Sequence, residues 1–108
     1  MKKNLDRYTY RLTWSEEDGE HIGLCVEFPS LSWLDSTPEK ALAGIRKVVK
    51  EVLTDITNSG EIVPEPISIR NYSGKFMVRV PPETHRNLAV QAAESGVSLN
   101  RLVSSKLN

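Results

Sequence analysis

Three long side chains, Lys75, Met77 and Arg79, alternate with three apolar ones, Phe76, Val78 and Val80, over six residues late in this 108-residue chain. A period of two places each set on its own face of a β-strand. Lysine and arginine on an exposed strand face carry the donors that read DNA. A guanidinium pairs bidentately with guanine O6 and N7, and a two-stranded ribbon is narrow enough for the major groove. Further on, Gly96-Val97-Ser98-Leu99-Asn100 opens a final helix. Amides at such a start have no intrahelical acceptor, so those around Ser98, Leu99 and Asn100 can clamp a phosphate, helped by the helix dipole. The competing reading makes Lys75 and Arg79 ordinary solvated residues of a segment that only dimerises.

Residue types that perform covalent chemistry do not assemble into a motif. There is one cysteine, Cys25, and the two histidines, His21 and His85, are far apart, so neither a disulfide nor a metal-ligand spacing is present. Glu16, Glu17, Asp18, Glu20, Glu27 and Asp35 could in principle hold a cation, but four of them crowd into one turn. His21 begins a strand with no nucleophile motif near it, and Cys25, alternating with Gly23 and Glu27, reads as a small packing residue. No catalytic residue, metal or cofactor is expected.

The elements that position the alternating segment follow from its neighbours. Pro81 and Pro82 end the strand, and a helix over Glu83–Ser95 turns Leu88, Ala89, Ala92 and Ala93 inward, with Gly96 as its stop. Ser98 caps a last helix carrying Leu99, Leu102, Val103 and Leu107 on one side. One strand and two short helices cannot bury Phe76, Val78, Val80, Leu88 and Leu102 alone, and the strand lacks a hydrogen-bonding partner. Pairing with the same strand of a second copy answers both needs, so these five residues are the expected dimerisation set.

The front half reads as a small antiparallel sheet with one helix. Tyr8, Tyr10, Leu12 and Trp14 alternate with Thr9, Arg11 and Thr13. A polar turn over residues 15–20 leads to a second strand at His21–Phe28, stopped by Pro29, and a short third strand covers Leu31–Leu34. Thr37 fits an N-cap and Pro38 the first helical position. Ala41, Leu42, Ile45, Val48, Val49, Val52, Leu53 and Ile56 then recur at helical spacing until Asn58-Ser59-Gly60. Trp14 and Trp33 are either core residues or exposed anchors for a partner.

The chain is therefore expected to be α+β in two pieces, a front domain over 1–66 and a ribbon-helix-helix over 75–108, joined by a linker at 67–74. Its formal net charge is zero, yet residues 1–63 hold eight Lys/Arg against eleven Asp/Glu, a net of −3, while residues 64–108 hold six against three, a net of +3. An acidic front suits a basic protein and a basic back suits nucleic acid. The polar start at Met1–Asp6 and the lack of a ~20-residue apolar run point to a cytoplasmic protein with no membrane contact.

Val78-Arg79-Val80-Pro81, the helix after it and the Gly96-Val97-Ser98-Leu99-Asn100 turn resemble the ribbon-helix-helix of HicB-family antitoxins. In the front half the hairpin, Phe28-Pro29-Ser30-Leu31, Ser36-Thr37-Pro38-Glu39-Lys40-Ala41-Leu42 and the Gly60–Pro66 exit look like that family's N-terminal domain, a partial RNase H-like fold without nuclease activity. The resemblance implies a type II antitoxin whose front domain neutralises a HicA-type mRNA-cleaving toxin while its back domain represses its own operon through operator DNA. Where many relatives have Pro-Gly after the position of Leu31, this chain has Ser32-Trp33-Leu34-Asp35. The alternative is a solitary dimeric ribbon-helix-helix regulator without a toxin partner.

Overall fold

The computed structural model describes residues 5–108, and the first four residues of the polar start lie outside it. The chain is α+β and divides into two compact units, Met1–Tyr72 and Ser73–Asn108.

In the first unit, β1 (Tyr10–Ser15), β2 (Glu20–Cys25) and β3 (Ser32–Asp35) form an antiparallel sheet in the order β1-β2-β3. Gly19, at φ +64°, makes the β1–β2 turn possible, a conformation that costs other residues more. The register pairs Tyr10 with Cys25, Leu12 with Gly23 and Trp14 with His21, and it sets Trp33 beside Gly23 and Asp35 beside His21. Directly paired residues share a face, so all of these point to the same side of the sheet.

Helix α1 (Pro38–Asn58) covers that side. Thr37 caps it by accepting from the Lys40 amide at 3.2 Å, and Pro38 occupies its first turn as the sequence implied. Its stripe of Ala41, Ile45, Val49 and Leu53 is buried against Tyr8, Cys25 and Phe28, with Trp33, Leu42, Val52 and Ile56 packed around them. Two glycines permit this close approach. A Cβ on Gly23 would lie 2.5 Å from the Ala41 carbonyl oxygen, and one on Gly44 would sit inside the indole of Trp33.

The structure corrects the strand readings in two places. β2 ends at Cys25 and not at Phe28, because the chain turns there, with the Phe28 amide donating to the Cys25 carbonyl at 3.1 Å and Leu31 to Phe28 at 3.0 Å. The alternating face of β1 is also not uniformly buried. Tyr8 is enclosed, but Leu12 and Trp14 are 43% and 51% exposed, since α1 lies over β2 and β3 more than over β1. Of the two tryptophans, Trp33 packs and Trp14 stands out.

The first unit continues past Pro66, so part of the stretch read as a linker belongs to it. Residues Ile67–Ile69 form a turn of 3-10 helix, and Arg70 closes back on the Glu65 carbonyl at 2.9 and 2.6 Å. Tyr8 donates to the Pro64 carbonyl at 2.5 Å, and Ser68 donates to that of Arg7 at 2.5 Å.

The second unit consists of α2 (Pro82–Ser95), α3 (Leu99–Leu107) and the segment before them. Gly96, at φ +69°, ends α2, its amide and that of Val97 bonding back to carbonyls of the last turn. Ser98 caps α3 by accepting from the Arg101 amide at 3.1 Å. Ala92 is the one fully buried apolar residue of this unit, while Leu88, Leu99, Leu102 and Val103 are half-buried.

Candidate nucleic-acid interface

Residues 75–80 are the segment that the sequence singled out, and in one copy of the chain they form neither a helix nor a sheet ladder among the described residues. Ser73 shapes the approach, accepting from the Lys75 amide at 3.1 Å beside Gly74 at φ +84°. Every residue from Asn71 to Asn87 is exposed. The exposure reaches 76% for Phe76 and 86% for Met77, with 62% for Val78 and 42% for Val80. Such a run of bare apolar side chains marks a contact surface.

The expected site residues thus fall into two groups in one unit. Lys75, Met77 and Arg79 alternate along the exposed segment with Phe76, Val78 and Val80, and none of the six is enclosed by the chain itself. Leu88 and Leu102 sit half-buried on α2 and α3, which pack on each other. At the start of α3 the first intrahelical bond runs from the Leu102 amide to the Ser98 carbonyl at 3.0 Å, and the Arg101 amide is taken by the cap. The amides of Leu99 and Asn100 precede that first bond and carry the positive end of the helix dipole. Ser98 and Asn100 are exposed there and Leu99 is half-buried.

The first unit holds different chemistry. The Cys25 thiol is buried, and burial foremost pushes its pKa up to about 11, so it stays protonated and unreactive near neutrality. Burial likewise carries Tyr10 up to about 12. No group of three or more His, Cys, Asp or Glu gathers where it could hold a metal among the described residues. No described helix is long and apolar enough to cross a membrane.

Sequence reasoning named Glu27 only among possible cation ligands and missed the bonds it makes within the fold. Its carboxylate accepts from the Thr9 amide at 3.0 Å, the Thr9 hydroxyl at 3.1 Å and the Ile67 amide at 2.9 Å, and Cys25 Sγ lies 3.5 Å away. Its one local signal is a charged residue where a strand would have shown an apolar one.

Compared with known protein families, residues 61–107 match one described as the HicB family. No curated protein and no solved structure matches the chain.

Proposed function

We propose that the chain, whose residues 61–107 match the HicB family of antitoxins from toxin–antitoxin systems, neutralises a HicA-type mRNA-cleaving toxin and represses its own operon. The observation that carries the reading is the bare alternating segment at 75–80, next to two helices that leave Leu88 and Leu102 half open. Two copies pairing these segments antiparallel form a ribbon with Phe76, Val78 and Val80 of each chain turned onto the helices. Lys75, Met77 and Arg79 then project from the other face into the major groove, and the α3 amides of Leu99 and Asn100, with Ser98, grip the flanking phosphates. Two-fold symmetry calls for a palindromic operator.

The front unit, three strands and one helix that we read as a partial RNase H-like fold, is the toxin-binding half. The protein acts as an inhibitor and repressor and performs no catalysis. Purifying the tagged chain from its host tests the first part: a small basic protein retained in fixed ratio is the expected result, and its absence argues against the antitoxin. The second reading, a solitary dimeric regulator, draws on the match beginning at residue 61, which leaves the sheet and α1 outside it. That regulator would bind its upstream DNA and retain no partner.

A further inference from the structure

From Leu12 to Glu39 the chain has no lysine or arginine and seven carboxylates. The fold gathers most of these at one end of the sheet. Glu16, Glu17 and Asp18 lie exposed in the β1–β2 turn, Glu20 opens β2, and Asp35 closes β3 as the register partner of His21. Glu39 follows in the first turn of α1. Across the same end runs the row Trp14–His21–Asp35, one residue from each strand, on the face that α1 covers only in part.

Leu12 and Trp14 stand on this face at 43% and 51% exposure. Trp14 is nonetheless held in place. Its ring meets His21 edge-on with centroids 5.0 Å apart, and its indole N–H donates to Glu16 Oε2 at 2.7 Å. A fixed, half-exposed tryptophan ringed by charge has the make-up of an interface anchor, because little side-chain freedom is left to lose on binding. β1 is also an edge strand, so this ledge is open from the side.

We propose that the Leu12–Trp14 ledge and its carboxylate rim form a docking surface for a basic protein, which lays an apolar side chain against Trp14 and pairs lysines or arginines with the rim. The charge selects this occupant. Glu16, Glu17, Asp18, Glu20, Asp35 and Glu39 outweigh the Lys40 charge that acts on Asp35, so this end repels phosphate backbones and anionic lipid, and two copies of the same ledge would bring like charges together. The inference rests on the antitoxin reading, in which that basic protein is the toxin.

The test compares full-length tagged chains purified from the host: wild type, Trp14→Ala, Leu12→Ser, the pair Glu16→Lys with Asp18→Lys, and Leu34→Ser as a control on the opposite sheet face. Circular dichroism and Trp33 emission report that each variant is folded. Retention of the small basic partner should fall about thirty-fold in Trp14→Ala, the loss expected when a hot-spot aromatic is truncated. Leu12→Ser and the charge-reversed pair should lose it too, with Leu34→Ser unaffected. Undiminished retention by all folded variants overturns the ledge and leaves the antitoxin reading standing. No partner on the wild-type chain defeats that reading and the ledge with it. A change in the oligomeric state of the isolated Trp14→Ala protein would assign the ledge to a second copy and also overturn the proposal.

Discussion

The carboxylate of Glu27 accepts the backbone N–H of Ile67 at 2.9 Å across forty positions of sequence. The same group accepts from Thr9, so one side chain fastens the chain's exit to the start of the hairpin. Burial raises its pKa, but the amides of Ile67, Thr9 and Glu27 itself and the Thr9 hydroxyl lower it, and the balance holds it below the ordinary value of 4.5. A carboxyl lowered on folding contributes stability above its unfolded pKa and loses that contribution as pH falls through its folded one. The first unit is therefore expected to weaken in acid below about pH 4.5. Glu27→Ala should cost about 1–3 kcal/mol at neutral pH and flatten this acid limb, as read by urea unfolding at several pH values. An unchanged limb would remove Glu27 from the clasp.

Helix and sheet meet through two missing side chains. Gly23→Ala places a methyl against the Ala41 carbonyl, and Gly44→Ala drives one into Trp33. Each should lower stability by about 1–3 kcal/mol or more, Gly23 the more severely because a backbone cannot step aside as a rotamer can. Thermal melts of both variants decide it, and wild-type stability in either would mean that helix and sheet lie further apart.

How far the sequence reveals this arrangement depends on the range of the interaction. Thr37, Pro38, Gly96 and Ser98 act within a turn of their own position, and each was legible as a cap or stop. The α1 stripe was legible too, because a 3.6-residue period declares its buried face. The exposure of Leu12 and Trp14 was not, since period-two alternation marks a shared face and says nothing of where the covering helix runs. Glu27 escaped for the same reason: its partners lie at Thr9 and Ile67, and only the folded chain brings them together. At the candidate interface the alternation of residues 75–80 was plain, but the single chain forms no ladder there, and a period of two does not say what a strand would pair with.

Val78 is 62% exposed in the single chain, so a charge there disturbs nothing in the chain's own core. Val78→Asp should leave both units folded and abolish the dimer, because pairing would bury two carboxylates side by side. Sedimentation velocity on the variant distinguishes the cases. A Val78→Asp dimer of wild-type strength would refute the paired ribbon.

Arg79 carries the expected base contact. Arg79→Ala should cost about 1–3 kcal/mol of discrimination between operator and unrelated DNA. Lys75→Ala should weaken both alike and reduce the salt dependence if its partner is a phosphate. Operator titrations at two salt concentrations separate these effects, and specificity untouched by Arg79→Ala would take that residue out of the readout.

The two-chain ribbon that reads DNA is tested most directly by a titration of the purified full-length chain onto the DNA upstream of its own gene, with stoichiometry followed by analytical ultracentrifugation. Two chains bound per palindromic half-pair, lost together in Val78→Asp, is the predicted result. Binding as a single chain, or affinity no greater than for unrelated DNA of the same length, would contradict it.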